Sequence, residues 1–379
     1  MIDRRKFVHR TASLAGVAAF AGFPAIVRAQ SERPIMLGQS AAFSGAAAQL
    51  GTQFYQGAKL YFDLQNAQPG ARKIEIKFLD DGYEPERCVA NTKQLISDDM
   101  FALFGYVGTP TSVAALPLIV KEKIPFFAPF TGAMALRDPL HRNVFHLRAS
   151  YNDETALIVQ QLTNLGIHDI AVFYQNDAYG KAGLDGVELA LAGQKRKPVV
   201  TATVERNSTD VAQAVKTIVA AKPQAIVQIS AYTSCAAFIR EARKAGYGAN
   251  FFNVSFVGTQ ALADALGKEA AGTVVSQVVP SPYARANESA RDFADAVRKV
   301  GDKVQANFTS MEGFLAAKVF SEGLRRAGAK PSRDSLIAGL ESIDRQQFSG
   351  FSAGFSPKDH VASHFVELSM IQANGKILT

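Results

Sequence analysis

From Pro34 onward, short apolar runs rich in Val, Ile and Phe alternate with amphipathic stretches. The runs predict strands at 35–43, 74–79, 101–107, 125–129, 144–147, 170–174, 199–204, 225–230, 251–256 and 274–278. Helical periodicity between them predicts helices that include 53–64, 86–96, 112–121, 154–165, 211–221 and 235–245. Strands and helices alternating in this way make parallel sheets covered by helices on both faces. The rhythm changes near the end, where helices at 290–300, 311–327 and 335–343 precede a strand at 365–372, so the chain is expected to cross back between lobes. The Gly, Ser and Phe residues of 348–355 predict a hairpin or loop.

The first thirty residues break this pattern. Arg4, Arg5, Lys6 and Arg10 precede an uncharged stretch at 11–27, and Val27-Arg28-Ala29 offers the small residues of a cleavage site. Residues 1–29 are therefore expected to be a signal peptide, with Arg4-Arg5-Lys6-Phe7 fitting the twin-arginine pattern and Sec export as the other route. The mature chain is expected in the periplasm. Removing five basic residues and one acid from the 41 and 34 of the whole chain leaves 36 and 33, a surplus of three. So small a surplus, with no basic stripe beyond Lys195-Arg196-Lys197, points away from nucleic acid as a partner. About 350 mature residues exceed what one core organises, which predicts two lobes. Cys88 and Cys235, far apart in sequence and on different predicted helices, are expected to be buried thiols.

In open parallel sheets, ligands bind beyond the carboxyl ends of the strands. That rule selects Phe43-Ser44-Gly45 with Gln49-Leu50-Gly51 after the first strand, the 106–112 turn containing Val107, Gly108 and Thr109 after the third, and Pro129-Phe130-Thr131-Gly132-Ala133 after the fourth. In the second half it selects Asn176 to Gly180 around Tyr179, Ser230 to Ser234 around Tyr232, and Asn253 to Gly258 with Ser255 and Phe256. Each segment also suits an ordinary cap or turn. Hydroxyl and aromatic side chains recurring at the same edge of both sheets favour a binding site.

These pieces, together with Asp80-Asp81-Gly82-Tyr83-Glu84-Pro85 and the run Phe238 to Gly246, resemble in order and spacing the periplasmic ligand-binding proteins of the leucine/isoleucine/valine type, which serve ABC importers. The resemblance spans the mature chain. It implies an α/β fold of two doubly wound parallel-sheet lobes joined by a three-strand hinge, with 30–149 and 282–363 in lobe 1 and 150–281 and 364–379 in lobe 2. In amino-acid-binding members, a hydroxyl and backbone amides of lobe 1 hold the ligand carboxylate, while tyrosines and an acid of lobe 2 reach the ligand. By that likeness Thr109 supplies the hydroxyl, the amides after Val107 and the loop Phe130-Thr131-Gly132 complete the carboxylate site, and Tyr179 and Tyr232 are the tyrosines. Leu50 takes the place of an aromatic that covers the ligand.

Two departures stand out. Ser255 falls where amino-acid binders carry the acid that pairs with the ligand ammonium, and Tyr83 and Gly108 fall where some members carry a half-cystine pair. A buried ammonium without a partner costs several kcal/mol, so the expected ligand is a small carboxylate or amide with an apolar or aromatic body. Glu312 and Asp177 are the acids that would restore an amino-acid ligand. The expected partners are that small molecule and the permease and ATPase subunits of an ABC transporter. A periplasmic sensor feeding a regulator or kinase is the alternative.

Enzyme chemistry finds less support. Gly350-Phe351-Ser352-Ala353-Gly354 matches a nucleophile elbow and is followed by His360 and His364, but too little chain remains for a hydrolase around that serine. A secreted hydrolase is thus the remote alternative. The spacing of His360 and His364 has no clear third metal ligand beside it. Neither a P-loop nor a dinucleotide fingerprint occurs, so no cofactor is expected. Asp80-Asp81 matches a structural turn of the family.

Overall fold

The computed structural model describes residues 33–248 and 250–379, and the signal peptide expected at 1–29 lies outside them. The alternating pattern becomes two sheets. β1 (Ile35–Ala41), β2 (Ile74–Asp80), β3 (Ala102–Phe104), β4 (Phe126–Phe127) and β5 (Val144–Phe145) form a parallel sheet in the order β2-β1-β3-β4-β5. Its helices are α1 (Ala48–Asn66), α2 (Pro85–Ser97) and α3 (Thr109–Lys121). β6 (Ile170–Gln175), β7 (Val200–Val204), β8 (Ala225–Ile229), β9 (Asn250–Asn253) and β10 (Val274–Gln277) form a second parallel set, accompanied by α4 (Tyr151–Asn164), α5 (Ala178–Ala192), α6 (Ala212–Ala220), α7 (Tyr232–Lys244) and α8 (Thr259–Leu266).

Then come α9 (Glu288–Val300), α10 (Phe308–Arg326), α11 (Arg333–Glu341) and a hairpin of β11 (Gln346–Phe348) and β12 (Phe351–Ala353). Ser349 and Gly350 turn that hairpin with φ of 53° and 85°, the positive pair that a two-residue turn favours. Finally β13 (Glu367–Ile371) and β14 (Ile377–Leu378) add antiparallel to the second sheet, giving the order β14-β13-β10-β9-β8-β6-β7.

The chain therefore crosses between lobes three times: after β5, after β10 and before β13. The first and third crossings are bonded to each other, His146 N donating to His360 O and Ala362 N to His146 O, both at 2.8 Å. The second delivers α10 to the first lobe, where it packs on α1 so closely that a Cβ on Gly57 would lie 1.8 Å from Ser310 O and one on Gly313 2.1 Å from Phe54 O. Only glycine permits such a crossing of helix backbones.

Several elements differ in extent from their predicted spans. β3 and β4 are two or three residues long because Gly105 (φ 62°) and Ala128 (φ 52°) turn the chain out of the sheet. β9 stops at Asn253, and 255–257 form a 3-10 turn. α4 begins at Tyr151, fixed by a capping box in which Asp153 N donates to Ser150 Oγ at 3.1 Å and Ser150 N to Asp153 Oδ2 at 2.9 Å.

Candidate functional site

The carboxyl edges of the two sheets face each other, and the loops selected from the sequence line that junction. Asp80 organises the first: its Oδ1 accepts from Phe43 N (2.8 Å), Ser44 N (3.1 Å) and Gly82 N (3.0 Å), and its Oδ2 from Ser44 Oγ (2.6 Å) and Arg87 Nη2 (3.0 Å). Burial pushes this carboxyl up, but the bonds from Ser44, Phe43, Gly82 and Arg87 outweigh it and hold its pKa at about 2. Ser44 thus spends its hydroxyl on Asp80. The neighbouring Asp81 is driven the other way, burial raising it to about 6 although Ser40 Oγ (2.7 Å) and Tyr83 N (2.9 Å) donate to it.

The loops after β3 and β4 zip together. Phe130 N donates to Tyr106 O (2.7 Å), Gly108 N to Phe130 O (3.3 Å), and Val107 and Phe130 form an isolated parallel bridge. This pairing brings Thr109, the first residue of α3, to Thr131, with their Oγ1 atoms 2.7 Å apart and both side chains buried. Tyr151 closes the group from the start of α4: its N donates to Gly132 O (2.8 Å), and its ring lies where a Cβ on Gly132 would sit. Burial raises the Tyr151 phenol to about 12, against the pull of Arg148, Thr131 and Thr109. Three hydroxyls therefore converge at the N-terminus of α3, where backbone N–H groups and the helix dipole favour an anion.

Aromatic rings join the lobes. Phe256 lies 4.6 Å from Tyr179, 5.7 Å from Phe130 and 5.8 Å from Tyr83 between centroids, and Tyr179 lies 5.4 Å from Tyr151. Leu50 presses on Gly258, whose Cβ would meet Leu50 Cδ2 at 2.4 Å, and the Tyr232 phenol faces the Gln49 backbone. Polar contacts close the rim: Glu84 accepts from Arg206 Nη2 (2.9 Å) and Asn207 Nδ2 (2.7 Å), Gln175 Nε2 donates to Tyr83 OH (3.1 Å), and Thr233 Oγ1 to Ala46 O (3.3 Å). Gly108, at φ 107°, leaves the space that the Tyr83 ring fills, since a Cβ there would lie 2.3 Å from it. Tyr83 and Gly108, matched to the half-cystine positions, are thus packed against each other.

Behind the aromatic group lies a charged network, of which the sequence reading singled out Glu312 and Ser255 but neither Arg148 nor Glu154. Arg148, on the first crossing and 1 % exposed, makes a bidentate pair with Glu312 of α10 at 2.8 and 2.7 Å, donates to Ser255 Oγ at 3.1 Å and lies 3.9 Å over the Phe130 ring. Burial works against its charge, but Glu312 and then Glu154 more than offset this and raise its pKa. Glu154 accepts from Ser255 N (2.7 Å), Ser255 Oγ (3.0 Å) and Ser276 Oγ (2.5 Å). Ser255 at the family's acid position therefore does not leave the neighbourhood without an acid: Glu154 stands directly behind it. Neither acid considered as a replacement is free, because Glu312 is held by Arg148, and Asp177 caps α5 through Tyr179 N (2.9 Å) and Gly180 N (3.4 Å).

The residues of the enzyme readings lie elsewhere. Ser352 sits inside β12, paired with Gln347 and with no helix following it. His360 stacks on Phe145 at 3.9 Å and is bonded to Val144 O (3.0 Å) and Glu341 Oε1 (3.2 Å). Among the described residues, no three His, Cys, Asp or Glu side chains gather as a metal site, and no helix is long and apolar enough to cross a membrane.

Two parallel-sheet lobes meeting at a junction lined by buried hydroxyls and aromatic rings have the architecture of a solute-binding protein. The chain belongs to the periplasmic binding protein family, whose model matches residues 34–376, and is of the leucine/isoleucine/valine type. It is 22% identical over 309 residues to the Leu/Ile/Val-binding protein homolog 3 of Brucella melitensis biotype 1, covering 81% of this chain and 83% of that one. It is similar to the crystal structure of a possible leucine/isoleucine/valine-binding protein from Rhodopirellula baltica SH 1, at 32% identity and a TM-score of 0.88 over 92% and 97% of the two chains. It shares its fold with an ABC-transporter solute-binding protein of R. palustris in complex with benzoate, at 19% identity and a TM-score of 0.80 over 91% and 95%.

Proposed function

We propose that this protein is the periplasmic substrate-binding protein of an ABC importer and that its ligand is a small carboxylate without an ammonium group. It captures that ligand between lobe 1 (30–149 and 282–363) and lobe 2 (150–281 and 364–379) and presents it to the permease. One observation carries the ligand class: the Thr109, Thr131 and Tyr151 hydroxyls converge on the N-terminus of α3, while Glu154, Glu312 and Asp177 are each already bonded within the protein. The site thus offers donors for a carboxylate and no uncommitted acid for an ammonium group. Phe130, Tyr179 and Phe256 suit an apolar or aromatic body, and the R. palustris neighbour holds an aromatic carboxylate in the same fold.

Closure is a population shift, because the carboxylate contacts come from Thr109 and Thr131 of lobe 1 and from Tyr151 of lobe 2, and the aromatic contacts from both lobes, so ligand favours the state in which they coexist. The test is a thermal-shift screen of protein unfolded and refolded to strip any carried ligand, with carboxylates, amides and amino acids as the panel. A ligand at a hundred times its Kd adds about 2.7 kcal/mol. Stabilisation by carboxylates and not by amino acids is expected, and Thr109→Ala is expected to weaken the winning ligand by about 1 to 3 kcal/mol. Stabilisation by amino acids alone overturns the ligand class.

A further inference from the structure

Five side chains of the second lobe are fully buried with one atom each left unpartnered: Oε1 of Gln175 and of Gln228, Oδ1 of Asn253, Oγ of Ser230 and the phenol of Tyr179. Sheet register explains why they gather. Phe173 of β6, Gln228 of β8 and Asn253 of β9 are successive partners across the sheet, on strands about 4.8 Å apart. Phe173 stacks on Phe238 of α7 at 4.2 Å, which shows the face they share. Side chains alternate along a strand, so Gln175 and Ser230, two residues further on, take that same face one layer nearer the carboxyl edge. Gln175 is already bonded there to Tyr83 of the other lobe at 3.1 Å. Tyr179 enters from the first turn of α5, its ring against Phe256.

The orientation of the amides follows from what they donate to. Gln228 Nε2 donates to Cys235 O (3.5 Å), Asn253 Nδ2 to Val274 O (3.3 Å), and Gln175 Nε2 to Asp177 Oδ2 (2.6 Å) as well as Tyr83. Each amide is left with a carbonyl oxygen to offer. Buried polar atoms are satisfied by protein, water or ligand, and a branched aliphatic side chain placed here would satisfy none of them.

We propose that this ladder is the far end of the ligand cleft, and that the ligand is a carboxylic acid with a hydrogen-donating group, a hydroxyl or an amide N–H, at the end opposite its carboxylate. The inference rests on the carboxylate reading above and narrows it. Thr109 and Thr131 take the acid end in lobe 1, the aromatic rings take the middle, and the amide ladder takes the donor end in lobe 2. Specificity arises because an acid without the donor leaves the ladder unpaired, whereas one with it does not.

The experiment is isothermal titration calorimetry on stripped protein with two matched pairs: phenylacetate against 4-hydroxyphenylacetate, and hexanoate against 6-hydroxyhexanoate. Leucine is titrated as a control. In at least one pair the hydroxylated acid is expected to bind tenfold or more tightly, about 1.4 kcal/mol. Gln228→Met should cut that preference to threefold or less. Equal binding within both pairs means that water serves the ladder and overturns this inference alone. Binding of leucine with no binding of the four acids overturns the carboxylate reading and this inference with it, and failure of every probe counts against both. If Gln228→Met does not fold, the wild-type pairs decide the matter by themselves.

Discussion

Replacing Glu312 by Gln tests the charged network directly. The substitution keeps the shape of the side chain and removes one of two bonds to a guanidinium that is 1 % exposed. Arg148 then retains Ser255 Oγ, the Phe130 face and the charge of Glu154, while the new amide N–H2 is turned toward a donor. Breaking a buried pair by removing one partner costs about 3 to 5 kcal/mol. Because Glu154 still offsets part of the charge, the lower end, about 3 kcal/mol, is expected. The double replacement Arg148→Met with Glu312→Leu removes both charges and should fall closer to wild type than Glu312→Gln does, since the penalty lies in the unpaired ion. Equilibrium urea unfolding followed by far-ultraviolet circular dichroism is the assay, as the chain has no Trp to report on packing. A loss below about 1 kcal/mol in Glu312→Gln, or a double variant as unstable as the single, refutes the argument that Arg148 depends on this partner.

Four further outcomes follow from the loops. Asp80, with its folded pKa at about 2, contributes stability that is present above the unfolded value near 3.8 and lost as pH falls through about 2. Asp80→Asn should therefore flatten the acid limb of a pH-stability curve, whereas Asp81, raised to about 6, has the opposite sign, so that Asp81→Asn should remove a loss of stability between pH 4 and 6. Glu84→Gln is expected to speed ligand release by up to about fivefold in stopped-flow measurements, from about 0.2 to 1 kcal/mol for a partly exposed pair, and high salt should erase the difference. Gly108→Ala forces a Cβ into the Tyr83 ring at a positive φ and should cost about 1 to 3 kcal/mol in thermal unfolding; unchanged stability would mean that the loop relaxes freely.

Much of the fold is legible in the chain because the strands carry their own signal. β1, β6 and β8 are apolar runs that bury nearly every residue, as a sheet covered on both faces requires. The extents of β3 and β4 are hidden, since Phe104 and Phe127 look no different in sequence from Tyr106 and Phe130, and the break depends on the positive φ of Gly105 and Ala128. Thr109, Thr131, Tyr179 and Phe256 come from motifs at strand ends and do meet at the junction of the lobes. Arg148, Glu154 and Tyr151 escaped notice, for they belong to the first crossing and the start of α4, where no motif marks them. The signal available was a charged residue within the apolar stretch 144–149 and another within the apolar helix around Glu312, each of which needs a partner when buried. Their pairing spans 164 residues and is set by the crossings, which local periodicity does not encode.

The contact between Tyr83 and Gly108 also bears on how the protein matures. An aromatic ring seated on a glycine does the holding at the positions matched to a half-cystine pair, and Cys88 and Cys235 remain buried thiols. Burial pushes both thiols far above the pH at which thiolates form. Neither lobe then waits for a disulfide to form or reshuffle, and a reducing medium takes nothing from the native state. The yield of such a chain from refolding should be the same with dithiothreitol present as without it.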